Sequence, residues 1–104
     1  MINSTLKLFR GTDYAALKEQ GAVIIDVRTS AEYKQGHIQG SSNMPLGQIK
    51  KKAEKIKKLN KPVILCCATE MRSGQATSVL KANGIDAYNG GGWSSLIGKL
   101  ENEK

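Results

Sequence analysis

Cysteine is scarce in this chain of 104 residues: there are two, and they are neighbours, Cys66 and Cys67. A disulfide between adjacent cysteines closes a strained ring and constrains almost no loop, so no structural disulfide within the chain is expected. Histidine is scarcer still, with His37 alone. Two thiols and one imidazole fall short of a tetrahedral zinc site, and neither a metal nor another cofactor is expected. Reactive thiol chemistry is the reading that remains. No apolar run approaches the roughly 18–20 residues that cross a bilayer, which argues against a membrane span. The opening stretch, MINSTLKLFRG, shows no apolar signal core or small-residue cleavage site. The default location is therefore cytoplasmic, short of an export signal already removed. Two prolines, 39% apolar and 24% charged residues exclude a disordered or low-complexity chain. The length suits one domain over residues 1–104, with a frayed tail at Glu101–Lys104.

Acidic residues are also in deficit, nine against 16 basic ones, for a net charge of +7. The excess is uneven: seven lysines fall between Lys50 and Lys61, in KKKAEKIKKLNK. Leu46, Ile49, Ala53, Ile56 and Leu59 recur there at helical spacing, so the lysines read as the solvated side of an amphipathic helix. With only five aromatics in the whole chain to stack on bases, no nucleic-acid partner is expected. A weak attraction for anionic substrates or an acidic partner is compatible with the same face.

What is present is an alternation of strand and helix signals. Thr5–Phe9 reads as a short edge strand and Tyr14–Gln20 as a short helix stopped by Gly21. Ala22–Val27 (AVIIDV) reads as a strand buried on both faces. Thr29 to Glu32 has the form of a capping box ahead of a helix that Gly36 interrupts. A very short strand ends at Pro45, the lysine-rich helix runs from Leu46 to about Leu59, and Val63–Cys66 is a second strong strand. Ser73–Asn83 is helical by pattern, with Ala76, Val79 and Leu80 inward. Ile85–Tyr88 reads as a brief strand, Gly90–Gly92 as a loop, and Trp93–Leu100 as a last helix. The fold class is α/β, with a mainly parallel central sheet of about five short strands and helices on both faces. Ligand sites in such sheets lie beyond the carboxyl ends of the strands, where Arg28 and Cys67 are both expected.

VILCCATEMRSG, Val63 to Gly74, carries the chemistry. A strand, a tight loop and a helix start point backbone N–H groups into the loop, and a thiol there is favoured as the reactive thiolate. Three segments, in order, resemble the rhodanese homology domain: DVRTSAEYKQGHIQGSSNMPL from Asp26, the cysteine segment itself, and YNGGGWSSL from Tyr88. Together they cover about residues 22–100. The resemblance implies a sulfurtransferase or persulfide carrier, in which a cysteine takes sulfane sulfur from a small-molecule donor such as thiosulfate and passes it to cyanide or a thiol. A protein persulfide is a further candidate partner. The family's C-x4-R-S form, counted back from Arg72, makes Cys67 the nucleophile and Ala68, Thr69, Glu70, Met71 and Arg72 the substrate-binding loop. Cys66 is then a small buried apolar residue, with a resolving or redox role as the minor alternative.

Counted from Cys66, the same segment spells C-x5-R-S, as in cysteine phosphatases and the related arsenate reductases, where an arginine clamps a tetrahedral oxyanion. Leu65 stands where those enzymes resemble a His-Cys pair, which weighs against that frame. A non-catalytic rhodanese-like module for binding or redox sensing is the other alternative. Asp26 and Arg28 are supporting residues, with Arg28 free by sequence to pair with Asp26 or Glu32. His37 is expected to make a structural hydrogen bond and Trp93 to pack over the domain or border the site. Many relatives have glycine at the position of Glu70. A carboxylate beside the thiolate would raise its pKa and repel a dianionic donor if it pointed inward, and outward is expected here. Members suited to thiosulfate often carry basic residues where this loop has Ala68 and Thr69, so in either orientation of Glu70 the resemblance favours a persulfide over thiosulfate as donor.

Overall fold

Val63, Ile64 and Leu65 are wholly buried, as are Cys66 and Cys67 after them. Such a run, apolar on both faces of a strand, belongs in the middle of a parallel sheet covered on both sides. A computed structural model, which describes residues 12–68 and 70–102, places it there. In chain order the elements are α1 (Tyr14–Glu19), β1 (Val23–Asp26), α2 (Ser30–Gln35), β2 (Ser42–Asn43), α3 (Leu46–Lys57), β3 (Val63–Cys67), α4 (Glu70–Ala82), β4 (Ala87–Gly92) and α5 (Trp93–Asn102). The sheet order is β2-β1-β3-β4 and every pair is parallel. The described residues thus form four strands rather than about five. The expected Thr5–Phe9 strand and the end of the tail lie outside them.

Period-two alternation along β1 and β3 divides the core into two layers. Ile25, Leu65 and Cys67 join Ile49, Ala53 and Ile56 of α3 and Ala76 and Leu80 of α4. Ile24, Ile64 and Cys66 join Leu17 of α1 and Leu96 and Leu100 of α5. The two thiols therefore point to opposite faces of the sheet. Removing side chains such as Ile64 or Leu65 from water contributes about 1.5–3 kcal/mol each, so β3 anchors both layers. In α3 the inward face stops at Ile56, and its lysines are exposed except Lys52, which is half-buried. Leu59, expected to belong to that face, is 48% exposed because the helix ends at Lys57.

Local caps follow the sequence closely. Asp13 caps α1 by accepting from the Ala16 N–H. The Thr29–Glu32 capping box forms in both directions at α2. The glycines near the end of the chain behave differently from the expected loop, because Gly90–Gly92 complete β4. Leu65 pairs with Asn89 and Cys66 with Gly91, so Gly90 is an extra residue in a bulge. A Cβ on Gly90 would lie 2.9 Å from the Leu65 carbonyl oxygen and 2.9 Å from Leu96 Cδ2. Glycine lets β4 approach β3 closely there, and Gly91 takes φ 78° to complete the bulge.

Candidate active site

The order of strands changes direction between β1 and β3, and the carboxyl ends of those strands hold the candidate residues. Cys67 is the last residue of β3 and is wholly buried. Its Sγ accepts a hydrogen bond from the Ser73 N–H at 3.3 Å and donates to Ser73 Oγ at 3.1 Å. Ser73 lies in the opening turn of α4, whose N-terminal end carries the positive end of the helix dipole. The helix begins at Glu70, three residues before the sequence pattern placed it, because Glu and Met are strong helix formers. Of the expected binding loop, Glu70, Met71 and Arg72 therefore belong to that first turn. Ala68 is exposed, and a Cβ on Gly92 would lie 3.3 Å from its carbonyl oxygen. Thr69 and the side chain of Glu70 lie outside the described residues, and Met71 is 74% exposed.

Cys66, one residue earlier, sits in the opposite layer. Burial, reinforced by the nearby Asp26 carboxylate, pushes its thiol up to about 12. At neutral pH it is a protonated, apolar side chain. This matches the small buried residue that sequence reading expected at that position.

Two arginines, both anchored by carboxylates, frame the site. Arg28 is buried against Asp26, with Nη2 2.7 Å from Oδ2 and Nε 3.0 Å from both carboxylate oxygens. Nη2 also donates to the Gly36 carbonyl at 2.7 Å, and the guanidinium lies 4.7 Å from the Trp93 ring centroid. This brace joins the end of β1, the end of α2 and the start of α5. Arg28 thus pairs with Asp26 and leaves Glu32 for Arg72. Arg72 reaches Glu32 with two bonds, Nη1–Oε1 at 3.0 Å and Nη2–Oε2 at 3.1 Å. Held by Arg72 first and by the Thr29 backbone next, the Glu32 carboxyl falls to about 2. The same carboxylate therefore caps α2 and ties it to the start of α4.

His37 stacks on Tyr33 with ring centroids 3.7 Å apart, and its Nδ1 is hydrogen-bonded to the Tyr33 carbonyl at 2.7 Å. Sequence reading expected a hydrogen-bonding role there. It did not single out two residues that lie close to the thiol. Ser73 Oγ, the acceptor for Cys67, itself donates to Asn89 Oδ1 at 2.6 Å. Ser73 was visible only as part of the Arg-Ser pair. The only sign of Asn89 was a polar residue placed immediately before the glycine run.

The comparisons with known proteins agree with this architecture. A family model described as a rhodanese-like domain matches residues 12–97. The chain is 41% identical over 85 residues to the uncharacterized protein YqhL of Bacillus subtilis, a match covering 80% of this chain and 67% of that one. Thiosulfate sulfurtransferase PspE of Escherichia coli is 37% identical over 74 residues, covering 69% of this chain and 71% of its own length. Among solved structures, a rhodanese-related protein from Thermoplasma volcanium superposes with a TM-score of 0.67 at 31% identity, over 84% of this chain and 95% of that one.

Proposed function

The chain belongs to the rhodanese-like domain family, and on that premise we propose that it moves sulfane sulfur through a persulfide on Cys67. One observation carries the proposal: Cys67 Sγ lies at the carboxyl end of the central strand with the Ser73 N–H, from the first turn of α4, directed at it. In the first half-reaction the thiol proton goes to solvent, and the thiolate attacks the sulfane sulfur of a donor. A Cys67–sulfur bond forms, the donor's S–S bond breaks, and the leaving group departs with that bond's electron pair. In the second, cyanide or an acceptor thiolate attacks the terminal sulfur and Cys67 leaves as thiolate. Negative charge at this position is favoured by the Ser73 N–H and by the N-terminal end of α4.

Cys66 serves this chemistry poorly, because it lies on the other face and its thiol stays protonated at neutral pH. Arg72 is already committed to Glu32, which also supports the persulfide reading over an oxyanion clamp. The neutralised Arg72 and the apolar Ala68 make a persulfide of low negative charge a better donor than the thiosulfate dianion. A transfer assay with cyanide or a thiol acceptor tests the proposal on Cys67→Ser and Cys66→Ser in parallel. Loss of turnover in Cys67→Ser alone is the expected result. Loss in Cys66→Ser with Cys67→Ser active overturns the assignment, and no transfer from any donor by the wild type favours a non-catalytic module.

A further inference from the structure

The Glu32 carboxylate is held in place by its own helix. As the third residue of α2 it belongs to the capping box, where Oε1 accepts from the Thr29 N–H at 3.0 Å and from Thr29 Oγ1 at 3.1 Å. Arg72 therefore closes on an acceptor whose side-chain freedom is already lost. The guanidinium takes both oxygens, Nη1–Oε1 at 3.0 Å and Nη2–Oε2 at 3.1 Å. This is the two-pronged fork that arginine otherwise offers to an oxyanion ligand.

Arg72 precedes Ser73, whose N–H meets Cys67 Sγ. Its guanidinium is close enough to feel negative charge at Cys67. An arginine without a carboxylate at that place, beside the amino end of α4, would receive the anionic end of a sulfur donor. In this chain the fork is filled from within. The other arginine at the site, Arg28, is closed on Asp26. Among the described residues, neither arginine at the site stands without a carboxylate.

We propose that Glu32 sets donor specificity: by occupying the Arg72 fork and cancelling its charge, it disfavours strongly anionic donors and leaves Cys67 to donors of low negative charge. The inference rests on Cys67 as the sulfur-carrying thiol and names the residue behind the donor class. Glu32 acts through Arg72 rather than on the sulfur itself, so it is a positioning residue. Held by Arg72 and then by the Thr29 backbone, its carboxyl falls to about 2, so the pair stays ionised at neutral pH. The two side chains are 34% and 37% exposed, so solvent screens the pair and the effect is modest in size.

Glu32→Gln separates charge from structure, because glutamine also serves at the third position of a capping box. The test compares alkylation of Cys67 by iodoacetate, an anion, with alkylation by neutral iodoacetamide, in a Cys66→Ala background so that one thiol reports. The ratio of the two rates cancels the thiolate fraction and reads how the site receives negative charge. It should rise about fivefold in Glu32→Gln, the upper end of what an exposed charge pair represents. It should fall in Arg72→Gln, which leaves the carboxylate unopposed. With both substitutions together it should return to the wild-type value. The rate with thiosulfate relative to a small-molecule persulfide should follow the same order.

A ratio unchanged or lowered in Glu32→Gln, or unchanged or raised in Arg72→Gln, overturns the proposal. So does a donor preference that does not follow the alkylation ratios. A double variant as high as Glu32→Gln also overturns it, because a loosened tie between α2 and α4 would then be the cause. Should Glu32→Gln fail to fold by circular dichroism, the direction of Arg72→Gln decides. Alkylation needs no sulfur donor. Ratios that move as described in a protein that accepts no sulfur refute the proposed function and leave the charge control by Glu32 intact.

Discussion

Gly90→Ala tests whether the bulge in β4 is demanded by packing. The added methyl would sit 2.9 Å from the Leu65 carbonyl oxygen, 2.9 Å from Leu96 Cδ2 and 3.0 Å from Ile64 Cγ2, where ordinary contact begins near 3.4 Å. The first of these atoms is backbone of the central strand, and both side chains are wholly buried, so none can step aside at little cost. Overpacking of this kind costs about 1–3 kcal/mol. Alanine restricts the unfolded chain and returns about 0.4–1 kcal/mol, leaving a net loss of about 1.3 kcal/mol at the midpoints and at most about 2.6 kcal/mol. At roughly 4–8 °C per kcal/mol for a domain near 100 residues, the midpoint loss lowers Tm by roughly 5–10 °C.

Gly47→Ala is the internal control. It lies within α3 with nothing within 4 Å of the new methyl, so the same substitution should stabilise by about 0.4–1 kcal/mol. Thermal and urea unfolding followed by circular dichroism read both. A Gly90→Ala protein as stable as wild type, or two variants that move in the same direction, would refute the packing argument.

Other consequences can be checked alongside. Glu32 has its carboxyl depressed from 4.5 to about 2 by Arg72, so its contribution to stability is complete above about pH 4.5 and is lost as pH falls through 2. Unfolding measured across that window should show a smaller acid-dependent loss in Glu32→Gln than in wild type. For Cys66 the sign is reversed: a thiol raised from 9.0 to about 12 contributes stability that is complete below pH 9 and lost as pH rises through 12. Cys66→Ala should therefore flatten the alkaline limb of the stability profile. Arg28→Met leaves the buried Asp26 carboxylate without its partner, and should cost about 3–5 kcal/mol in denaturant unfolding.

The parts of the fold that sequence revealed are those governed by short-range rules. The AVIID and VILCC runs could be only strands buried on both faces, and Thr29 and Glu32 formed their capping box as written. The α3 face was set by period 3.6, failing only at Leu59, where the chain leaves the helix. What could not be read depended on partners far apart in sequence. Glu32 and Arg72 are 40 residues apart, and Arg28 had two candidate carboxylates until the fold chose Asp26. Gly90–Gly92 looked like a loop because glycine disfavours strands in general; only the closeness of β3 makes glycine the residue that fits. In the site, the strand–loop–helix order and the count from Arg72 pointed to Cys67. Ser73 and Asn89 came together only through the register of β4 against β3.

The central claim is that sulfur is carried on Cys67. Intact-mass measurement after incubation with a sulfane-sulfur donor, followed by peptide mapping, addresses it most directly. Wild type and Cys66→Ala should each gain one sulfur atom, mapped to Cys67 and removed by cyanide, while Cys67→Ser gains none. A sulfur atom retained by Cys67→Ser, or a wild-type mass unchanged by every donor, would contradict the account.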